Sequence, residues 1–84
     1  MKGLLIRDPL RWHDDWSAQI GRQLKVHDST NDLFIFDDRY ARDDILQVIG
    51  DVPEDLYQLF DLEDAPELDC DYQADSGRCY RRSH

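Results

Sequence analysis

The chain has 84 residues, nineteen of them acidic against ten Lys and Arg, so its formal charge is −9; it is 40% hydrophobic and carries nine aromatics. That apolar content excludes a disordered acidic tail, the length restricts the chain to a single acidic domain spanning residues 1–84, and no apolar run approaches the ~20 residues of a membrane-spanning helix. The opening MKGLLIRDPLRW lacks the apolar region and small-residue cleavage site of a signal peptide, so the chain is expected to be mature as written and cytoplasmic, in a host's cytoplasm if it is viral.

Leu4, Leu5 and Ile6 form a short apolar run that predicts a buried strand between Lys2 and Arg7. Asp8 and Pro9 follow as an N-cap and an N1 proline, which predicts a first helix from Pro9. Trp12, Trp16, Ile20 and Leu24 recur at intervals of four and lay one apolar stripe along it, more consistent with core packing than with stacking on a base or sugar. Gly21 weakens the last turn by about 1 kcal/mol relative to alanine, so the helix is expected to stop near it. Leu24 and Val26 then alternate with Lys25 and His27, which predicts the first strand of a hairpin. The cluster Asp28-Ser29-Thr30-Asn31-Asp32 predicts a turn, and Leu33-Phe34-Ile35-Phe36 a second strand, apolar on both faces and therefore central.

Asp37 and Asp38 end that strand and are expected to cap a second helix with Tyr40, Ala41, Ile45, Val48 and Ile49 inward and Gly50 at its stop. Asp51 and Pro53 predict a third helix, burying Leu56, Tyr57, Leu59 and Phe60 and exposing Glu54, Asp55, Gln58 and Asp61. Past an acidic connection, Cys70, Tyr72, Cys79 and Tyr80 flank Ala74-Asp75-Ser76-Gly77, the pattern of a terminal hairpin. The fold class expected is α+β: a short, mostly antiparallel sheet covered by two or three helices.

Two cysteines are too few for a disulfide framework and lack zinc-ligand spacing, so reduced thiols are expected, although a terminal hairpin would bring Cys70 and Cys79 near each other. The histidines His13, His27 and His84 are scattered, and Asp69, Asp71 and Asp75 before Gly77 lack the ligand spacing of a calcium loop. No phosphate loop, nucleophile elbow or Cys-His pairing occurs. The expectation is a non-enzyme with no cofactor and no metal.

Fourteen of the nineteen acids lie between Asp37 and Asp75, answered there only by Arg39 and Arg42, so that stretch carries −12. Residues 1–36 balance five acids with five bases, and Arg78, Arg81 and Arg82 follow the stretch. A charge this segregated repels phosphate and selects a basic protein partner, with no direct nucleic acid and no membrane. Acids four apart on a helix recur every ~6 Å and acids two apart on a strand every ~6.6 Å, a sparse imitation of a phosphate lattice. The residues expected to meet the partner are Asp43, Asp44, Asp51, Glu54, Asp55, Asp61, Glu63 and Asp64. In size and charge the chain is similar to the small inhibitors that phages direct against bacterial nucleases and CRISPR complexes, and to antitoxins and immunity proteins. No motif carries that likeness. The leading expectation is therefore an inhibitor that covers the nucleic-acid-binding surface of a partner; the alternatives are an adaptor docking on an unrelated basic protein, or an acidic domain adapted to salt.

Overall fold

Leu4 and Leu5 point to opposite faces of one strand, so the strand can satisfy both only from the interior of a sheet with something packed on each side. The computed structural model, which describes residues 1–83, places it there; His84 lies outside the described residues. Six strands, β1 (Lys2–Ile6), β2 (Asp28–Ser29), β3 (Leu33–Phe36), β4 (Tyr57–Asp64), β5 (Tyr72–Gln73) and β6 (Cys79–Arg82), form one sheet in the order β2-β3-β1-β4-β6-β5, antiparallel throughout. Two helices, α1 (Asp14–Gln23) and α2 (Arg42–Val48), complete the small α+β domain. In register, Leu4 of β1 stands between Phe34 of β3 and Leu59 of β4.

Each face of the sheet has its own core. On the helical side Leu4, Phe36 and Leu59 meet Ile20 and Leu24 from α1 and Ile45 and Ile49 from α2, closed by Val52 and Leu56. Trp12 and Trp16 pack against this core in an edge-to-face pair with centroids 5.3 Å apart. On the other side Leu33, Ile35, Leu62, Ala74 and Tyr80 form the second core, with Leu5, Phe60 and Tyr72 at its margin. Gly3 belongs here: a Cβ would stand 2.8 Å from Leu62 Cδ1 and 3.0 Å from Phe60 Cε2, so only glycine lets β4 bring those side chains across β1.

The second core has no helix over it, and the sheet covers it by curling. β2 and β6 are four strand spacings apart in the sheet order, about 19 Å if the sheet were flat. In the fold the Tyr80 hydroxyl donates to Asp28 Oδ2 at 2.9 Å. The tip of the β5–β6 hairpin adds to the closure: Asp75 N–H donates to the Ser29 carbonyl at 2.8 Å, and the Ser76 hydroxyl donates to Asp28. Gly77, at φ +93°, makes the turn that aims this tip inward. Tyr80 is fully buried. Burial and the Asp28 carboxylate push its phenol up to about 12. Burial pulls Asp28 upward too, but donation from Ser76, Tyr80 and the Ser29 N–H outweighs it and holds the carboxyl below its ordinary value.

Four expectations from the sequence change. Pro9–Arg11 is a single 3-10 turn, and α1 starts only at Asp14, because Asp8 adopts the left-handed region (φ 54°) in place of the extended geometry of a cap. Gly21 does not stop α1, which runs to Gln23 with Leu24 N–H bonded to the Ile20 carbonyl. The first strand of the central hairpin is Asp28–Ser29 and not the segment of Leu24 and Val26, so part of the polar cluster expected as the turn pairs with β3. Most consequentially, the third helix is absent: Glu54–Leu56 is one 3-10 turn and Tyr57–Asp64 is the longest strand. Leu59 and Leu62 have helical spacing because they serve the two opposite cores of the sheet.

Removing the hydroxyl with Tyr80→Phe should lower stability by about 1–2 kcal/mol, several degrees in melting temperature, with the far-ultraviolet circular dichroism unchanged. The sign with pH is set by a folded phenol raised above its unfolded value of about 10: this contribution is complete below pH 10 and is lost as pH rises toward about 12. Melting curves of the two proteins should therefore stay a fixed distance apart through neutral pH and converge between pH 10 and 12.

Candidate acidic binding surface

α2 places the first group of acids. Its N-cap is Ala41, whose side chain accepts nothing, so Asp44 reaches back and takes the Ala41 N–H at 2.9 Å. Asp43 beside it points into solvent in the first helical turn, where a negative charge suits the helix dipole. Asp37 and Asp38 do not cap α2, contrary to the sequence expectation. Asp37 accepts the Arg39 N–H at 3.0 Å and pairs with its guanidinium, while Asp38 lies 2.7 Å from the N-terminal ammonium. Asp51 and Glu54, in the connection from α2 to β4, are exposed and make no ion pair among the described residues; Asp55 lies 3.5 Å from Arg11.

β4 carries the remainder. Asp61 is bonded to Lys2, its neighbour in register on β1, and Glu63 is 2.8 Å from Arg81 on β6, which also approaches Asp69 at 3.6 Å. Donation from Lys2, then its charge, holds the Asp61 carboxyl below the ordinary carboxylate value; the N-terminal ammonium does the same to Asp38. Asp64 is exposed and makes no ion pair among the described residues. All eight predicted residues are therefore on the surface, but they divide in function. Asp55, Asp61 and Glu63 are neutralised within the molecule and Asp44 is a cap, which leaves Asp43, Asp51, Glu54 and Asp64 with their charge uncompensated.

They also divide in space. α2 and the connection after it cover the helical core, whereas the end of β4 and the terminal hairpin border the second core on the opposite face. At that end two clefts adjoin at Glu63. One, of about 630 Å³, is lined by Glu63, Leu68, Asp69, Cys70, Asp71, Arg81 and Arg82; the other, of about 410 Å³, includes Asp37, Asp38, Glu63, Asp64 and Arg78. Among the fourteen acids from Asp37 to Asp75, eight make no ion pair among the described residues: the four just named, Asp44, and Glu67, Asp71 and Asp75. Sequence reasoning passed over the last three because a connection has no period to read. Their signal was local: Pro66 followed by Glu67, Asp69 and Asp71 sets a 3-10 turn, Glu67–Asp69, on the surface. In that turn Leu68 is 98% exposed between acidic neighbours.

The arrangement offers carboxylates, one protruding leucine and shallow clefts. Among the described residues no three His, Cys, Asp or Glu side chains converge to hold a metal ion, and no helix is long and apolar enough to cross a membrane. No protein-family model, characterised protein or solved structure matches the chain.

Exposed ion pairs contribute between nothing and about 1 kcal/mol each, whereas the uncompensated carboxylates repel over a range that shrinks to about 8–10 Å at physiological salt. Raising salt from low to moderate concentration should therefore raise the melting temperature. A calorimetric or circular-dichroism series checks this, and a falling midpoint would mean that the ion pairs dominate.

Proposed function

We propose that this protein is a non-catalytic inhibitor that binds a basic protein through its acidic surface and occupies the site where that partner holds nucleic acid. The observation that carries the reading is the retained charge: after every ion pair is formed, eight carboxylates of residues 37–75 still face solvent or cap without a counter-charge. An acidic surface of this kind is complementary to a groove of Lys and Arg, where it accelerates association and competes with phosphate. The proposed contact residues with free charge form two groups on different faces, Asp43, Asp51 and Glu54 beside the helical core and Asp64, Glu67, Asp71 and Asp75 at the end of β4 and the hairpin, so a groove must reach around the edge of the sheet to meet both.

One observation favours a second reading, an adaptor on a basic protein unrelated to nucleic acid. Imitation of phosphates needs no apolar group, yet Leu68 stands fully exposed inside the acidic turn, the arrangement of an anchor that fills a pocket with charges around it.

The two readings separate by competition. For basic nucleic-acid-binding proteins that bind this chain, labelled duplex or single strand should be displaced as the chain is added, and the displacement should weaken with salt; a ternary complex would overturn the inhibitor and support the adaptor. Combining Asp43→Asn, Asp51→Asn, Glu54→Gln and Asp64→Asn should leave the fold intact and the melting temperature no lower, since none of these side chains makes an ion pair among the described residues and their removal relieves repulsion. Association at low salt should slow by roughly tenfold or more, with a smaller effect on dissociation. Unchanged association kinetics would place the contact elsewhere.

A further inference from the structure

Neither the acidic surface nor the closure of the sheet uses the two thiols, and the fold puts them side by side. Cys79 opens β6, buried on the side of the strand opposite Tyr80. Arg81, two residues on and therefore on the same face of β6, lies 3.6 Å from Asp69, and Asp71 N–H donates to the Tyr80 carbonyl at 3.0 Å, so the turn that ends in Cys70 is held against the side of β6 that carries Cys79. Cys70 ends the 3-10 turn Glu67–Asp69, is partly exposed, and lines the cleft of about 630 Å³ with Leu68, Asp71, Arg81 and Arg82. Both cysteines are free. The result is one sulfur open to solvent in a cleft large enough for a small molecule, with the second cysteine buried on the face of β6 against which that turn lies.

We propose that Cys70 and Cys79 form a reversible thiol–disulfide site, in which Cys70 meets a small-molecule disulfide such as oxidised glutathione and Cys79 resolves the adduct. In the first step the Cys70 thiol loses its proton, its sulfur attacks one sulfur of the glutathione disulfide, that S–S bond breaks, and one glutathione thiolate leaves and takes up a proton. In the second the Cys79 thiol loses its proton and its sulfur attacks the Cys70 sulfur of the mixed disulfide. The Cys70–Cys79 bond forms, and the second glutathione thiolate leaves and is protonated. Two protein thiols are oxidised and one glutathione disulfide is reduced to two thiols.

The order follows from access and acidity. Contact with Cys70, then burial, pushes the Cys79 thiol up to about 11, so it is the poorer first nucleophile. The bond would join the turn before β5 to the start of β6, at the root of the hairpin whose tip holds β2. Oxidation would thereby secure the closure that Tyr80 and Asp28 make.

The test treats the full chain under native conditions with glutathione buffers from fully reduced to fully oxidised, quenches with acid, alkylates remaining thiols with a maleimide and weighs the intact protein. The expected product is a monomer lighter by two hydrogen atoms that takes up no maleimide and reverts on reduction. Its melting temperature should be higher by roughly 10 °C, from the smaller entropy of an unfolded chain with this short loop closed. Cys79→Ser should stop at one glutathione on Cys70, and Cys70→Ser should leave Cys79 without adduct while folded. Three results would overturn the proposal: a wild-type chain that halts at a single glutathione adduct, one that oxidises only between molecules, or an oxidised form that melts lower. The wild-type measurement stands even if either variant fails to fold, and it does not depend on the identity of any protein partner.

Discussion

Tyr80 reaching Asp28 is the constraint on which the rest of the structure depends. A six-stranded antiparallel sheet with helices on one side leaves its other face to water, and here that face carries Leu33, Ile35, Leu62 and Ala74. Curling brings the first and last parts of the sheet together over those side chains, at the cost of burying a tyrosine hydroxyl. The Asp28 carboxylate supplies the acceptor, and Ser76 and Ser29 donate to the same carboxylate. A buried polar group of this kind costs free energy only when left unpaired. Among the described residues no buried side-chain nitrogen or oxygen lacks a partner.

The closure also orders the surface. Because β6 must lie beside the end of β4 to carry Tyr80 inward, Arg81 faces outward next to Glu63, and Arg82 lies over the Phe60 ring at 4.0 Å. Part of the acidic stretch is thereby neutralised from the C-terminal strand, and part from Lys2, the N-terminus and Arg11 at the other end of the chain. The basic residues that look peripheral in sequence are thus structural counter-charges for the middle. Compensation is incomplete, and the acids left without partners lie on both sides of the sheet.

The acidic surface and the thiol pair meet at one place. The cleft that exposes Cys70 is lined by Glu63, Leu68, Asp69 and Asp71. A change in the covalent state of the hairpin root would alter the rigidity of the same turn that presents Leu68 and Glu67.

Several features were legible in the residues alone: a buried first strand from Leu4 and Leu5, the helical stripe of Trp16 and Ile20, a strand apolar on both faces at Leu33 to Phe36, the terminal hairpin around Gly77, and an acid-rich middle. Each rests on local spacing or turn chemistry, which a chain carries with it wherever it folds. The identity of Tyr57–Asp64 was not legible, because its two buried residues, Leu59 and Leu62, point to opposite faces and break the alternation of a strand, and Leu56, Leu59 and Phe60 fit a helical period equally well. Its pairing with β1 decided the matter. Nor could spacing reveal which carboxylates stay free, since that depends on Lys2, Arg11 and Arg81 arriving from distant positions. Sequence determined the amount of charge and the apolar patterns; the tertiary structure decided where that charge remains, because ion pairing and sheet closure act across the whole length of the chain.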